Sequence, residues 1–146
     1  MRQNEFRGKR LDNGEWLYGD LVHDNQGGCY IYPLDSLGLF VENKVDPNTV
    51  GEFIGLVDKK DNKIYDGDIL FVEFVDKSGG YQLVGWNEKT ASWGIMDDYS
   101  YQSMKEGYDY AEFKNHVLLA FLKDALICEV IGNIHDDPKL INHIAR

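Results

Sequence analysis

The chain repeats one short pattern, and that repetition limits its fold more than any other feature. Residues 6–21 run Phe6-Arg7-Gly8, then Asp12-Asn13-Gly14, then Trp16-Leu17-Tyr18-Gly19-Asp20-Leu21. Residues 53–70 run Phe53-Ile54-Gly55, then Asp61-Asn62-Lys63, then Ile64-Tyr65-Asp66-Gly67-Asp68-Ile69-Leu70. The offset is 47 between Phe6 and Phe53 and 48 between Gly19 and Gly67, so the second copy has gained one residue. Each copy reads as strand, polar turn, second strand, and a Gly-Asp step that launches another apolar run. Glycine supplies backbone freedom at such a step, and aspartate bonds to nearby backbone. Gly19, Asp20, Gly67 and Asp68 are therefore expected to be structural corners.

The rest of the chain supports a mainly β (α+β) fold. The expected form is a small SH3-like barrel or a set of twisted antiparallel sheet modules. Asn13-Gly14 is a strong hairpin-turn signal. Ile69 to Val75 is nearly all apolar and β-rich, which predicts a strand covered on both faces. Tyr81–Trp86 and Ala91–Met96 flank a polar turn and predict a second hairpin. Helix is expected over residues 112–126, where Phe113, Val117, Leu118, Phe121 and Leu122 recur at helical spacing. Asp137-Pro138 predicts a short C-terminal helical turn with aspartate at the N-cap and proline at N1. At 146 residues one compact domain is expected, built from two related modules of about 1–48 and 49–146 with a loop insertion at 97–111.

Charge and composition narrow the function. The formal net charge is −10, which opposes binding to a phosphate backbone, so duplex DNA is not an expected partner. The charge is uneven. Residues 1–11 carry a local +3 from Arg2, Arg7, Lys9 and Arg10 against Glu5, and residues 97–112 carry a local −4. These two regions suit pairing within the chain or between copies. No apolar run approaches the roughly 20 residues that span a bilayer. The first residues lack the apolar core of a secretory signal. Cys29 and Cys128 match no zinc or redox spacing and are expected to be free, buried thiols in a reducing cytoplasm.

Chemistry-bearing motifs are sparse. There is no nucleophile elbow, phosphate loop or dinucleotide fingerprint, so no catalytic residue, cofactor or metal is expected. His135-Asp136-Asp137 is the strongest metal-like cluster, but a site needs three or four converging ligands, and the aspartates have a use as helix caps. The acidic, tyrosine-rich stretch is the expected interaction surface, with Asp97, Asp98, Tyr99, Tyr101, Tyr108 and Tyr110. Tyrosine offers rigid amphipathic contact area at low entropic cost. The leading expectation is a non-enzymatic interaction protein that forms a homo-oligomer and binds a host protein. The alternative is a β-barrel that binds single-stranded nucleic acid through Arg2, Arg7, Lys9 and Arg10 with Trp16 and Tyr18 as stacking groups.

Two blocks are more specific than fold periodicity. One is Phe53-Ile54-Gly55-Leu56-Val57-Asp58-Lys59 continuing to Ile64-Tyr65-Asp66-Gly67-Asp68-Ile69. The other is Glu129-Val130-Ile131-Gly132-Asn133-Ile134-His135-Asp136-Asp137-Pro138-Lys139-Leu140. With Phe6-Arg7-Gly8-Lys9 at the start, they resemble the YopX family of phage and prophage proteins, in order along essentially the whole chain. That family usually opens Phe-Arg-Ala-Trp, and the Gly8-Lys9 found here alters the packing of the first strand. The resemblance implies a largely β fold, phage or prophage origin and a tendency to self-associate. It supplies no catalytic residue or cofactor.

Overall fold

The structure is a computed structural model, and it describes residues 4–33, 43–107, 116–117 and 123–144. The chain divides into two compact units, residues 1–55 and 56–146.

In the first unit the alternation of apolar and polar residues yields short antiparallel strands. These are β1 (Phe6–Lys9), β2 (Trp16–His23), β3 (Cys29–Tyr32), β4 (Lys44–Val45) and β5 (Gly51–Val57), which runs past the end of the unit. Their hydrogen-bonded order is β4-β3-β2-β1-β5. The sheet rolls up, because β4 also meets the end of β1. Arg10 bridges to Val45, Asp46 N donates to Lys9 O at 2.8 Å, and Leu11 N donates to Lys44 O at 3.1 Å. The expected SH3-like shape is thus approached by a rolled sheet whose closure is a short contact. Inside lie Cys29, Ile31 and Val45, packed by Phe6, Leu17, Leu21 and Val50.

The sequence departure at Gly8 has its reason here. A Cβ on Gly8 would stand 2.9 Å from Val45 Cγ2, so the absent side chain lets β4 close onto β1.

The second unit holds β6 (Lys63–Tyr65), β7 (Asp68–Glu73), β8 (Gly79–Asn87), β9 (Ser92–Met96), β10 (His116–Val117) and β11 (Ile127–Asn133). Five of these form an antiparallel sheet in the order β10-β9-β8-β7-β11. Short turns join β7 to β8 and β8 to β9, and the Tyr81–Trp86 and Ala91–Met96 hairpin forms in register, with Trp86 opposite Trp93. β7 is buried on both faces as expected, since neighbouring Ile69 and Leu70 are both inaccessible. One face packs Ile69, Leu83, Met96, Tyr101 and Ile144 together.

Helix is placed differently from the expectation. An α-helix, α1, occupies Asp98–Lys105, inside the stretch read as loop. Asp97 caps it by accepting from Ser100 N at 2.7 Å, and Gly107 follows its end with φ 78°. Within the expected helix 112–126, His116–Val117 instead pair as a strand with Ile95 and Gly94. Phe113, Leu118, Phe121 and Leu122 lie outside the described residues. The C-terminal turn is a 3-10 helix over Pro138–His143. Asp137 stands at its N-cap without a capping bond, because its carboxylate turns back to accept from Asn133 N at 3.2 Å.

The two repeats agree through Tyr18 and Tyr65, each the second strand of a strand-turn-strand unit, and part immediately afterwards. β2 runs straight through Gly19-Asp20, so this pair is not a corner. Gly19 is required there by proximity, since a Cβ would meet Tyr32 O at 2.0 Å. In the second copy the chain turns at Gly67, whose φ of 86° disfavours a side chain, and β7 begins at Asp68.

Candidate functional site

The second unit contains a cleft of about 280 Å³ lined by Asp66, Trp86, Glu88, Tyr101, Met104 and Lys105. Three elements build it. Asp66 stands at the corner between β6 and β7. Trp86 is the last but one residue of β8, and Glu88 is the first residue beyond the strand. α1 contributes Tyr101, Met104 and Lys105, which its 3.6-residue period sets on one face.

The polar groups of this wall are tied together. Lys105 Nζ lies 2.8 Å from Asp66 Oδ2, and the Tyr101 hydroxyl donates to Asp66 Oδ1 at 3.1 Å. The Lys105 ammonium also stands 5.4 Å from the centre of the Tyr101 ring. The two oxygens of Asp66 thus each have a partner, and its charge is matched. Across the cleft Glu88 is exposed and makes no hydrogen bond or ion pair among the described residues. The Trp86 ring packs edge-on against Trp93, with centroids 5.1 Å apart. The result is a cleft with an aromatic wall, a thioether, one matched ion pair and one unmatched carboxylate.

The expected interaction residues separate in space. Tyr101 is 4% exposed and belongs to the core, which removes it from the expected surface. Its hydroxyl serves the cleft instead. Tyr99 is 52% exposed on the opposite side of the same helix. Asp97 is the helix cap and Asp98 stands in the first turn. Tyr108 and Tyr110 lie outside the described residues. Asp68 is buried and accepts from Tyr65 N at 2.8 Å.

His135, Asp136 and Asp137 form a turn organised by Asn133. The Asn133 Oδ1 accepts from both His135 N and Asp136 N at 3.0 Å, and its Nδ2 donates to Asp136 at 3.1 Å. No group of three or more His, Cys, Asp or Glu side chains converges on a metal position among the described residues.

Of the expected basic residues, Arg2 lies outside the described residues and the other three are engaged. Arg7 is 5% exposed with its guanidinium 4.8 Å from the centre of the Trp16 ring, and Lys9 stands 5.6 Å from the same ring. Arg10 pairs with Asp12 and Glu15.

Sequence reasoning missed the partners of two residues. Nothing local to Asp66 points to Tyr101 or Lys105. Asp58 links the two specific motif blocks through its side chain. Its carboxylate accepts from Lys60 N and Val130 N at 2.8 Å, from Asn62 N at 2.9 Å and from Asn62 Nδ2 at 3.1 Å. Burial works to raise its pKa, but the bonds from Val130, Asn62 and Lys60 outweigh that and hold it below the ordinary carboxylate value. Beside it, Lys59 N donates to Cys128 O at 2.9 Å, which further ties the turn after β5 to β11. Ile134 N donates to Gly67 O at 3.0 Å, and β11 pairs with β7 along its length. Both cysteines are free and buried, and burial first, then the nearby Asp58 charge, push the Cys128 thiol up to about 11.

No helix among the described residues is long and apolar enough to cross a membrane. No curated protein matches the chain. The YopX protein family matches it over residues 5–142, nearly its full length. The two motif blocks are therefore one framework, joined through Asp58 and the β7–β11 ladder, and the chain belongs to the YopX family.

Proposed function

We propose that this chain is a non-enzymatic interaction protein of phage or prophage origin that assembles with itself and docks a host protein. The observation that carries this reading is α1. It is capped by Asp97, anchored by Tyr101 in the core, and presents Tyr99 and Asp98 on its outer side. A fixed helix displaying an aromatic beside a carboxylate meets the usual needs of an interface anchor, which gains most when its side chain is already ordered. The cleft fits binding better than catalysis, because its ion pair is internally matched.

Light scattering at tens of micromolar tests self-assembly, with a mass above that of the monomer expected. Tyr99→Ser combined with Asp98→Asn should weaken assembly or capture of a host partner while the circular dichroism spectrum stays unchanged. A monomeric mass together with unaltered partner capture by the double variant refutes the reading.

A second reading is favoured by the register of the first unit. Lys9 faces Trp16, Arg7 faces Tyr18, Asp20 faces Tyr32 and Val22 faces Tyr30, which gathers four aromatics and two cations on one face of the sheet. Tyr30 and Tyr32 stack with centroids 6.4 Å apart, and Lys44 stands 5.9 Å from the Tyr30 ring. Such a face suits stacking of single-stranded nucleic acid. Fluorescence anisotropy with a labelled oligothymidylate distinguishes the two readings. Micromolar binding that is lost in Tyr18→Ser favours this one.

A further inference from the structure

We infer that the cleft between α1 and the end of β8 binds a guanidinium group, that of an arginine side chain on a partner polypeptide. The inference deepens the interaction reading and rests on it.

Size comes first. At about 280 Å³ the cleft falls just below the roughly 300–1,000 Å³ of pockets that enclose drug-sized ligands, so it suits one long side chain better than a nucleotide.

Charge comes next. Asp66 and Lys105 match one another at 2.8 Å, and the Tyr101 hydroxyl takes the other Asp66 oxygen. Among the described lining residues the unmatched charge is Glu88, so Asp66, Glu88 and Lys105 together carry one net negative charge. Chain-wide excess of negative charge reinforces attraction of a cation to it.

Shape and chemistry select the cation. Trp86 lines the cleft two residues from Glu88, and tryptophan is the strongest cation–π partner among side chains. A guanidinium is planar. It stacks on such a face while its fork of N–H donors reaches a carboxylate, which a compact, strongly hydrated ammonium does less well. Met104 adds a flexible apolar surface for the methylene stem. Lys105 remains in place, since its own charge is already held by Asp66.

Isothermal titration of the whole chain with the peptide acetyl-Gly-Arg-Gly-amide tests the site. The matched peptide with citrulline, which keeps the shape and removes the charge, is the control. The arginine peptide should bind and the citrulline peptide should not. Glu88→Gln should weaken arginine binding by about tenfold or more. That substitution lies on the surface, and an unchanged melting temperature confirms an intact fold. Trp86→Phe should weaken binding less than Glu88→Gln does, because a smaller ring remains. Equal binding of both peptides, or an arginine affinity unchanged by Glu88→Gln, overturns the inference. Binding of inorganic phosphate that competes with the arginine peptide also overturns it, since Lys105 would then be the recognising group.

The two readings fail separately. If the protein assembles and captures a partner but ignores the arginine peptide, the cleft assignment falls and the interaction reading stands. If the peptide binds as described while the protein stays monomeric and captures nothing, the guanidinium site stands and the interaction reading falls.

Discussion

Asp58 shows how one side chain joins two distant pieces of sequence. Its four hydrogen bonds satisfy donors in the turn after β5 and the Val130 N–H of β11, and it is 4% exposed. Removing it leaves buried N–H groups without an acceptor. Asp58→Ala should destabilise the fold by about 1.5–3 kcal/mol at pH 7, the usual scale for hydrogen bonds to a charged group. The folded carboxyl titrates below its unfolded value of about 3.9. Its contribution is therefore full above about pH 4 and is lost as pH falls through the lowered folded value. Denaturant melts of wild type and Asp58→Ala should differ at pH 7 and converge toward pH 2. Cys128 gives a second test at this scale. With its thiol pushed up to about 11 by burial and by Asp58, it is protonated at neutral pH. Ellman's reagent should react with it only as fast as the native state opens, and reaction should become rapid in denaturant.

At the scale of elements, the contact of β1 with β4 depends on an absent side chain. Gly8→Ala would bring a methyl to 2.9 Å from Val45 Cγ2, closer than real Cβ contacts stand, with two β-strands fixed on either side. The substitution should cost about 1–3 kcal/mol as overpacking. Adding Val45→Ala should restore part of that loss by making room, so the double-mutant cycle should show favourable coupling. Strictly additive losses would mean that the two strands do not press on each other there. The helix tells a related story. Asp97 as a cap and Gly107 as a stop were both present in the sequence around α1. Tyrosines at positions 99 and 101 read as alternating loop residues, because only docking reveals that Tyr101 enters the core while Tyr99 stays outside. In the same way Val117 fits a helical spacing, yet it pairs with β9, since an available strand edge outweighs local periodicity.

For the whole molecule, net charge governs what approaches. With −10 overall, and with Arg7 and Arg10 held by Trp16, Asp12 and Glu15, the chain repels a duplex at long range. Binding to duplex DNA at about 150 mM salt should be weaker than about 10 μM by anisotropy, at the weak end of non-specific affinities. Submicromolar binding would contradict this account of the charge. The sequence by itself determined the β class, the hairpins, the buried β7 and the family. Those properties follow from local alternation, turn residues and specific words, which are carried by neighbours in the chain. Tertiary structure alone decided the rest. It set Gly19 inside a strand and Gly67 in a turn although both stand before aspartate. It brought Asp58 to Val130, 72 positions away, and Asp66 to Lys105, 39 positions away. Neither pairing has a local signal, since a carboxylate's partner is fixed by which strands meet and not by what precedes it in the chain.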